Sequence, residues 1–102
     1  MSNKKFLNNV ELLKRETESL LGYLKARFPV FHNSNFFYRD LQYGIKSFLK
    51  IKEKDVSYDE AAKLTDAVSE DLEKRGIFVK VNKIGWKINY PQFATTEPGD
   101  PL

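Results

Sequence analysis

The sequence predicts an α+β fold in a single domain, with three helices followed by a C-terminal β-hairpin. Three observations carry that expectation. Apolar residues recur at three- and four-residue steps from Phe6 to Leu72. The apolar period then falls to two between Ile77 and Tyr90. Proline, glycine and asparagine clusters stand where one element must hand over to the next.

The first helix is expected over residues 6–28. Phe6, Val10, Leu13, Thr17, Leu20, Leu21, Leu24 and Phe28 form one stripe at helical period, with Leu12, Tyr23 and Ala26 on the far side. Pro29 and the run Asn33, Ser34, Asn35 close it and form a loop. The second helix is expected over 36–51, with Ser34 or Asn35 as N-cap. Phe37, Leu41, Ile45, Phe48 and Ile51 fall on its apolar side, and Gly44 in the same stripe marks a close approach of another helix.

The third helix, 58–75, has the strongest local signals. Ser57 and Glu60 have the spacing of a capping box, in which the serine hydroxyl accepts from a free backbone N–H and the glutamate reaches back. Val56 and Ala61 sit where a hydrophobic staple would close. Ala61, Thr65, Val68 and Leu72 make the buried stripe. Lys74 and Arg75 suit the negative helix end, and Gly76 suits the left-handed position beyond it. In the hairpin, Ile77, Val79 and Val81 alternate with Phe78, Lys80 and Asn82. Trp86, Ile88 and Tyr90 alternate with Lys87 and Asn89 across a turn at Asn82–Gly85. This reading puts Ile77, Val79 and Val81 on the apolar face, Trp86 in the core, and Lys80 and Lys87 together on the outward face. The domain is expected to span 1–93, with a disordered tail over 94–102.

Composition narrows the function classes. At 41% hydrophobic and 14% aromatic, the chain is too apolar for a disordered segment. It has no Cys, which excludes disulfide scaffolds and thiolate zinc sites. No apolar run approaches the ~20 residues of a membrane span. No apolar segment of roughly 7–15 residues follows the basic start Lys4-Lys5, so no signal peptide is expected and the cytoplasm is the expected compartment. Catalysis finds no constellation: His32 is the sole histidine, and Gly22, Gly44, Gly76, Gly85 and Gly99 are all isolated, so no phosphate loop forms. The expectation is a binding module with no catalytic, cofactor-binding or metal-binding residues and no small-molecule substrate.

Charge is unevenly placed. Residues 1–57 carry net +5, residues 58–75 carry net −3, and residues 76–102 carry net +1, for a total of +3. The second helix presents Arg39, Lys46 and Lys50 with Gln42 and Tyr43 on its polar side. Cations beside an aromatic ring have the composition of a phosphate-contacting surface. The plain alternative is a solvated helix face. In the hairpin, Lys80, Lys83 and Lys87 offer a second set of cations, or guard an edge against strand pairing.

Three helices and then a hairpin is the order of a winged-helix domain, and the sequence resembles that family locally. Residues 64–90 look like the third helix and wing of winged-helix regulators, whose third helix often ends in Leu-Glu-x-x-Gly. Here that segment reads Leu72-Glu73-Lys74-Arg75-Gly76. The resemblance spans residues 6–90. It implies a DNA-binding regulator or accessory factor whose wing touches the minor groove or backbone. In DNA-binding members the third helix enters the major groove, which calls for Arg, Lys, Asn, Gln, Ser or Thr on its exposed face. The exposed face here carries Asp59, Glu60, Lys63, Asp66, Ala67, Glu70, Asp71, Glu73 and Lys74, six carboxylates in nine residues. Phosphates would repel them.

Two readings follow. In the first, Arg39, Tyr43, Lys46, Lys50, Lys80, Lys83 and Lys87 contact the phosphate backbone of DNA. In the second, Asp59, Glu60, Asp66, Glu70 and Asp71 form a protein-binding face and DNA is not involved. A homodimer through the long first helix is compatible with either.

Overall fold

The computed structural model describes residues 2–28 and 30–93, so the tail expected at 94–102 lies outside the described residues. Four helices and a small antiparallel sheet make an α+β fold. In chain order these are α1 (Ser2–Arg15), α2 (Thr17–Arg27), β1 (Asn35–Phe37), α3 (Tyr38–Ile51), α4 (Tyr58–Lys74), β2 (Phe78–Asn82) and β3 (Gly85–Ile88), followed by a 3-10 turn at Pro91–Phe93. The sheet order is β1-β3-β2. Among the described residues no helix is long and apolar enough to cross a membrane.

The long first helix is divided at Glu16, whose ψ of 39° departs from helical geometry. Thr17 turns its hydroxyl back to the Lys14 carbonyl at 2.8 Å, a local bond that competes with regular helix. The break lets α1 lie on α4 while α2 lies on α3, two directions that one straight rod could not serve. Leu12 is thereby buried, although a single helix would have put it on the far side. Gly44 is the predicted close approach: a Cβ there would collide with the Leu24 side chain of α2.

The second helix starts later than the sequence suggests. Phe36 and Phe37 extend as β1 beside β3, pairing Asn35 with Lys87, Phe36 with Trp86 and Phe37 with Gly85. Aromatic residues fit a pleated strand, and Phe36 reaches the core from it. Ser34 therefore caps no helix. Its hydroxyl instead closes the 31–34 turn, accepting from Phe31 N–H at 2.9 Å and donating to Phe31 O at 2.7 Å. The Tyr38 N–H, at the start of α3, donates to the Ile84 carbonyl in the hairpin turn at 2.8 Å. That bond satisfies one orphan helix donor and ties α3 to the hairpin. Phe37 and Ile51, expected on the buried side of α3, are exposed.

α4 begins and ends as its residues dictate. Both capping-box bonds are present, Glu60 N to Ser57 Oγ at 3.1 Å and Ser57 N to Glu60 Oε1 at 2.8 Å. Gly76 sits at φ 77°, Gly76 N–H donates to Glu73 O, and Ile77 N–H donates to Leu72 O, which is a Schellman ending.

The hairpin faces are reversed from the alternation expected in β2. Phe78 is buried, while Val79 and Val81 are exposed. Phe78 wins because it has aromatic partners: its ring lies 5.0 Å from Trp86 and 6.0 Å from Phe36. An aromatic ring buries far more surface than valine. Trp86 and Ile88 are buried, as expected for Trp86. Pairing of Phe78 with Ile88, Val79 with Lys87 and Lys80 with Trp86 then sets every side chain in β2 up to the bulge between Lys80 and Asn82. The core beneath the sheet is completed by Leu13, Leu20, Leu24, Leu41, Ile45 and Leu64.

Candidate nucleic-acid interface

Helix α3 carries Arg39, Tyr43, Lys46 and Lys50 at positions i, i+4, i+7 and i+11. That spacing makes one stripe about 17 Å long at 1.5 Å per residue. The helix's other side, Leu41, Ile45, Phe48 and Leu49, is buried, so the stripe is held outward by the core itself.

Two neighbouring helices turn the stripe into a groove of about 490 Å³. The last turn of α2 supplies Tyr23 and Arg27, and the first turn of α4 supplies Tyr58. Lys46 and Lys50 line the floor with Tyr43, and among the described residues no carboxylate lines the groove. The Arg27 guanidinium carbon lies 4.5 Å from the centre of the Tyr23 ring, a cation–π contact. Lys46 Nζ donates to the Val56 carbonyl at 2.7 Å and lies 5.5 Å from the Tyr58 ring. The Gln42 amide donates to the Tyr58 carbonyl at 3.1 Å, locking α4 to α3 at this edge.

One turn before Tyr43, Arg39 lines a second depression of about 560 Å³ with Phe37, Tyr38, Asp40, Lys83 and Ile84. The Tyr38–Ile84 backbone bond brings Lys83 to the helix start. Lys83, Arg39, Tyr43, Lys46 and Lys50 thus follow one another along one side of the molecule. Lys80 and Lys87 do not join them, and they do not share a face. Lys80 stands opposite Trp86 on the inner side, whereas Lys87 stands opposite Val79 and Asn35 on the outer side. The expected outward pair is corrected by that register.

The carboxylates of α4 have structural duties. Glu60 is held below its ordinary range, first by the Ser57 backbone N–H and then by the charges of Lys5 and Lys63. Asp66 Oδ1 accepts from the Tyr38 hydroxyl at 2.8 Å, with the Ala62 carbonyl also in reach at 3.0 Å. Burial, helped by that carboxylate, pushes the Tyr38 phenol up to about 12. Asp71 pairs with Arg75 at 3.0 Å, and Arg75 also donates to Thr17 Oγ1 at 2.8 Å, across to the α1–α2 break. Glu73 Oε2 accepts from Trp86 Nε1–H at 2.7 Å. Asp59 and Glu70 are exposed.

His32 ties the loop after α2 to the end of the sheet: its Nδ1 accepts from Tyr90 N–H at 3.1 Å. The groove residues that a linear reading passes over are Arg27 and Tyr58. They come from elements 11 residues before and seven residues after α3. The sequence signal for Arg27 is Gly44, which announces that α2 crosses α3 closely; Tyr58 has none.

Comparison with known protein families, curated proteins and solved structures finds no match.

Proposed function

We propose that this chain is a non-catalytic, winged-helix-like binding module that engages nucleic acid through the basic side of α3 and the hairpin turn. The observation that carries the reading is the open groove of Arg27, Lys46 and Lys50 with three tyrosines and, among the described residues, no carboxylate, on the same helix as Arg39, which lines a separate depression with Lys83 and Asp40. Cations so grouped release condensed counterions when they meet phosphates, the main source of sequence-independent affinity. The helix-then-hairpin order, with β2 packed on α4, supports the family resemblance. The acidic third helix of the sequence, α4, is not the reading element.

Fluorescence anisotropy with labelled oligonucleotides across a salt series tests the reading. Lys50→Glu combined with Lys83→Glu is the suitable reversal, because Lys46 also serves the Val56 carbonyl. Binding should weaken with salt at a log–log slope of several units, and the double variant should bind at least tenfold more weakly with unchanged thermal stability. Equal affinity in the variant would remove this surface. The second reading, a protein-binding α4, is favoured by the exposure of Asp59 and Glu70. It ranks lower because Glu60, Asp66, Asp71 and Glu73 are engaged within the chain.

A further inference from the structure

Resting on the reading above, we infer that the groove between α2, α3 and α4 takes a single-stranded nucleic acid, with unpaired bases stacked on Tyr43 and Tyr58 and phosphates held by Arg27, Lys46 and Lys50.

Shape gives the first reason. Readers of duplex DNA insert a convex helix or ribbon into a major groove about 12 Å wide. This basic surface is a shallow, open groove between three helices, and the helix that the winged-helix resemblance would insert, α4, is acidic outward. A duplex could meet the groove only through phosphates on its rim.

Chemistry gives the second. Tyr43 is 50% exposed and Tyr58 55% exposed, and both line the groove. A duplex hides its base faces in its own stack and leaves such rings nothing to cover. A single strand presents a π-face on every base, whatever its sequence. Tyrosine rings and flat arginine planes are the side chains on which splayed bases stack. Arg27 already rests on the Tyr23 ring, so less freedom is lost when it meets a strand. Rings and cations stand side by side in the groove, Tyr43 with Lys46 and Lys50 on α3 and Tyr58 beside Lys46, so one strand can meet both with its bases and its phosphates.

The test uses the full chain and anisotropy with a mixed-sequence DNA strand, the same sequence as RNA, and the matching blunt duplex. Tyr43→Ala, Tyr58→Ala, Tyr43→Phe and Lys50→Ala are compared with the parent, with circular dichroism as the folding control. Either single strand should bind at least tenfold more tightly than the duplex. The DNA and RNA arms separate the two sources of one ligand chemistry. Each Tyr→Ala change should weaken single-strand binding by about 5- to 150-fold and leave the salt slope intact. Tyr43→Phe should keep most of the affinity. Lys50→Ala should lower the single-strand salt slope by about 0.7. A duplex bound as tightly as either strand, or Tyr→Ala variants within twofold of the parent, would overturn the single-strand assignment while leaving nucleic-acid binding standing. No binding to any of the three at low salt would overturn both.

Discussion

Helices α3 and α4 lie against each other, and both are heavily charged on their outer sides, yet they use that charge differently. On α4, Glu60 closes a cap, Asp66 holds the Tyr38 hydroxyl, Asp71 anchors Arg75 and Glu73 anchors Trp86. Its carboxylates staple helix ends, the hairpin and the α1–α2 break to one another. On α3 the cations mostly face a groove, and among the described residues Lys46 alone of the stripe reaches a backbone acceptor. Sequence charge is thus a poor guide to a binding surface until the internal partners of each group are known. Net −3 over residues 58–75 reads as an acidic face, but much of it is internal fastening.

The contrast predicts that damage near α4 is paid in stability and damage on α3 in binding. Trp86→Ala should have the largest effect. It removes a buried ring and leaves Glu73 without its donor, costing about 3–5 kcal/mol in urea or thermal unfolding. A loss below about 1 kcal/mol would mean that the hairpin is not fastened there. Ser57→Ala removes one half of the capping box and should cost about 1 kcal/mol, or roughly 4–8 °C in Tm.

The Tyr38–Asp66 fastening has a pH signature. The phenol lies at about 12 in the folded chain against an ordinary value of 10.0. A raised folded value favours the neutral phenol, so its contribution is complete below pH 10 and disappears as pH rises through 12. Denaturation midpoints of the parent should fall more steeply over that window than those of Tyr38→Phe; parallel curves would sever the link. The smallest stability effects should come from Lys50→Ala and Glu70→Ala, both within about 0.5 kcal/mol of the parent. Only the first should reduce nucleic-acid affinity, and an equal loss in both would erase the contrast between the helices.

Legibility in the sequence follows the range of the forces involved. The start and end of α4 were readable because Ser57, Glu60 and Gly76 act on backbone groups within a few residues. The outward stripe of α3 was readable because helical period alone places Arg39, Tyr43, Lys46 and Lys50 together. β1 was not, since three residues carry no period and Asn35–Phe37 become a strand only by pairing with β3, some 50 residues later. The β2 faces were misread because alternation gives two faces without saying which is inner. That choice fell to Phe78 through its contacts with Phe36 and Trp86. The groove was half legible for the same reason: its floor is one helix, but Arg27 and Tyr58 arrive by tertiary packing.

The most direct test is a ¹⁵N–¹H NMR titration of the full chain with a short mixed-sequence DNA strand, following every backbone amide. Shifts should concentrate at Tyr23–Arg27, Gln42–Ile51 and Tyr58, with smaller changes at Lys83 and Ile84, and Asp66 and Glu70 on the outer side of α4 should stay silent. Shifts centred on Asp59, Asp66 and Glu70, with α3 unmoved, would contradict the assignment of the basic groove as the binding face.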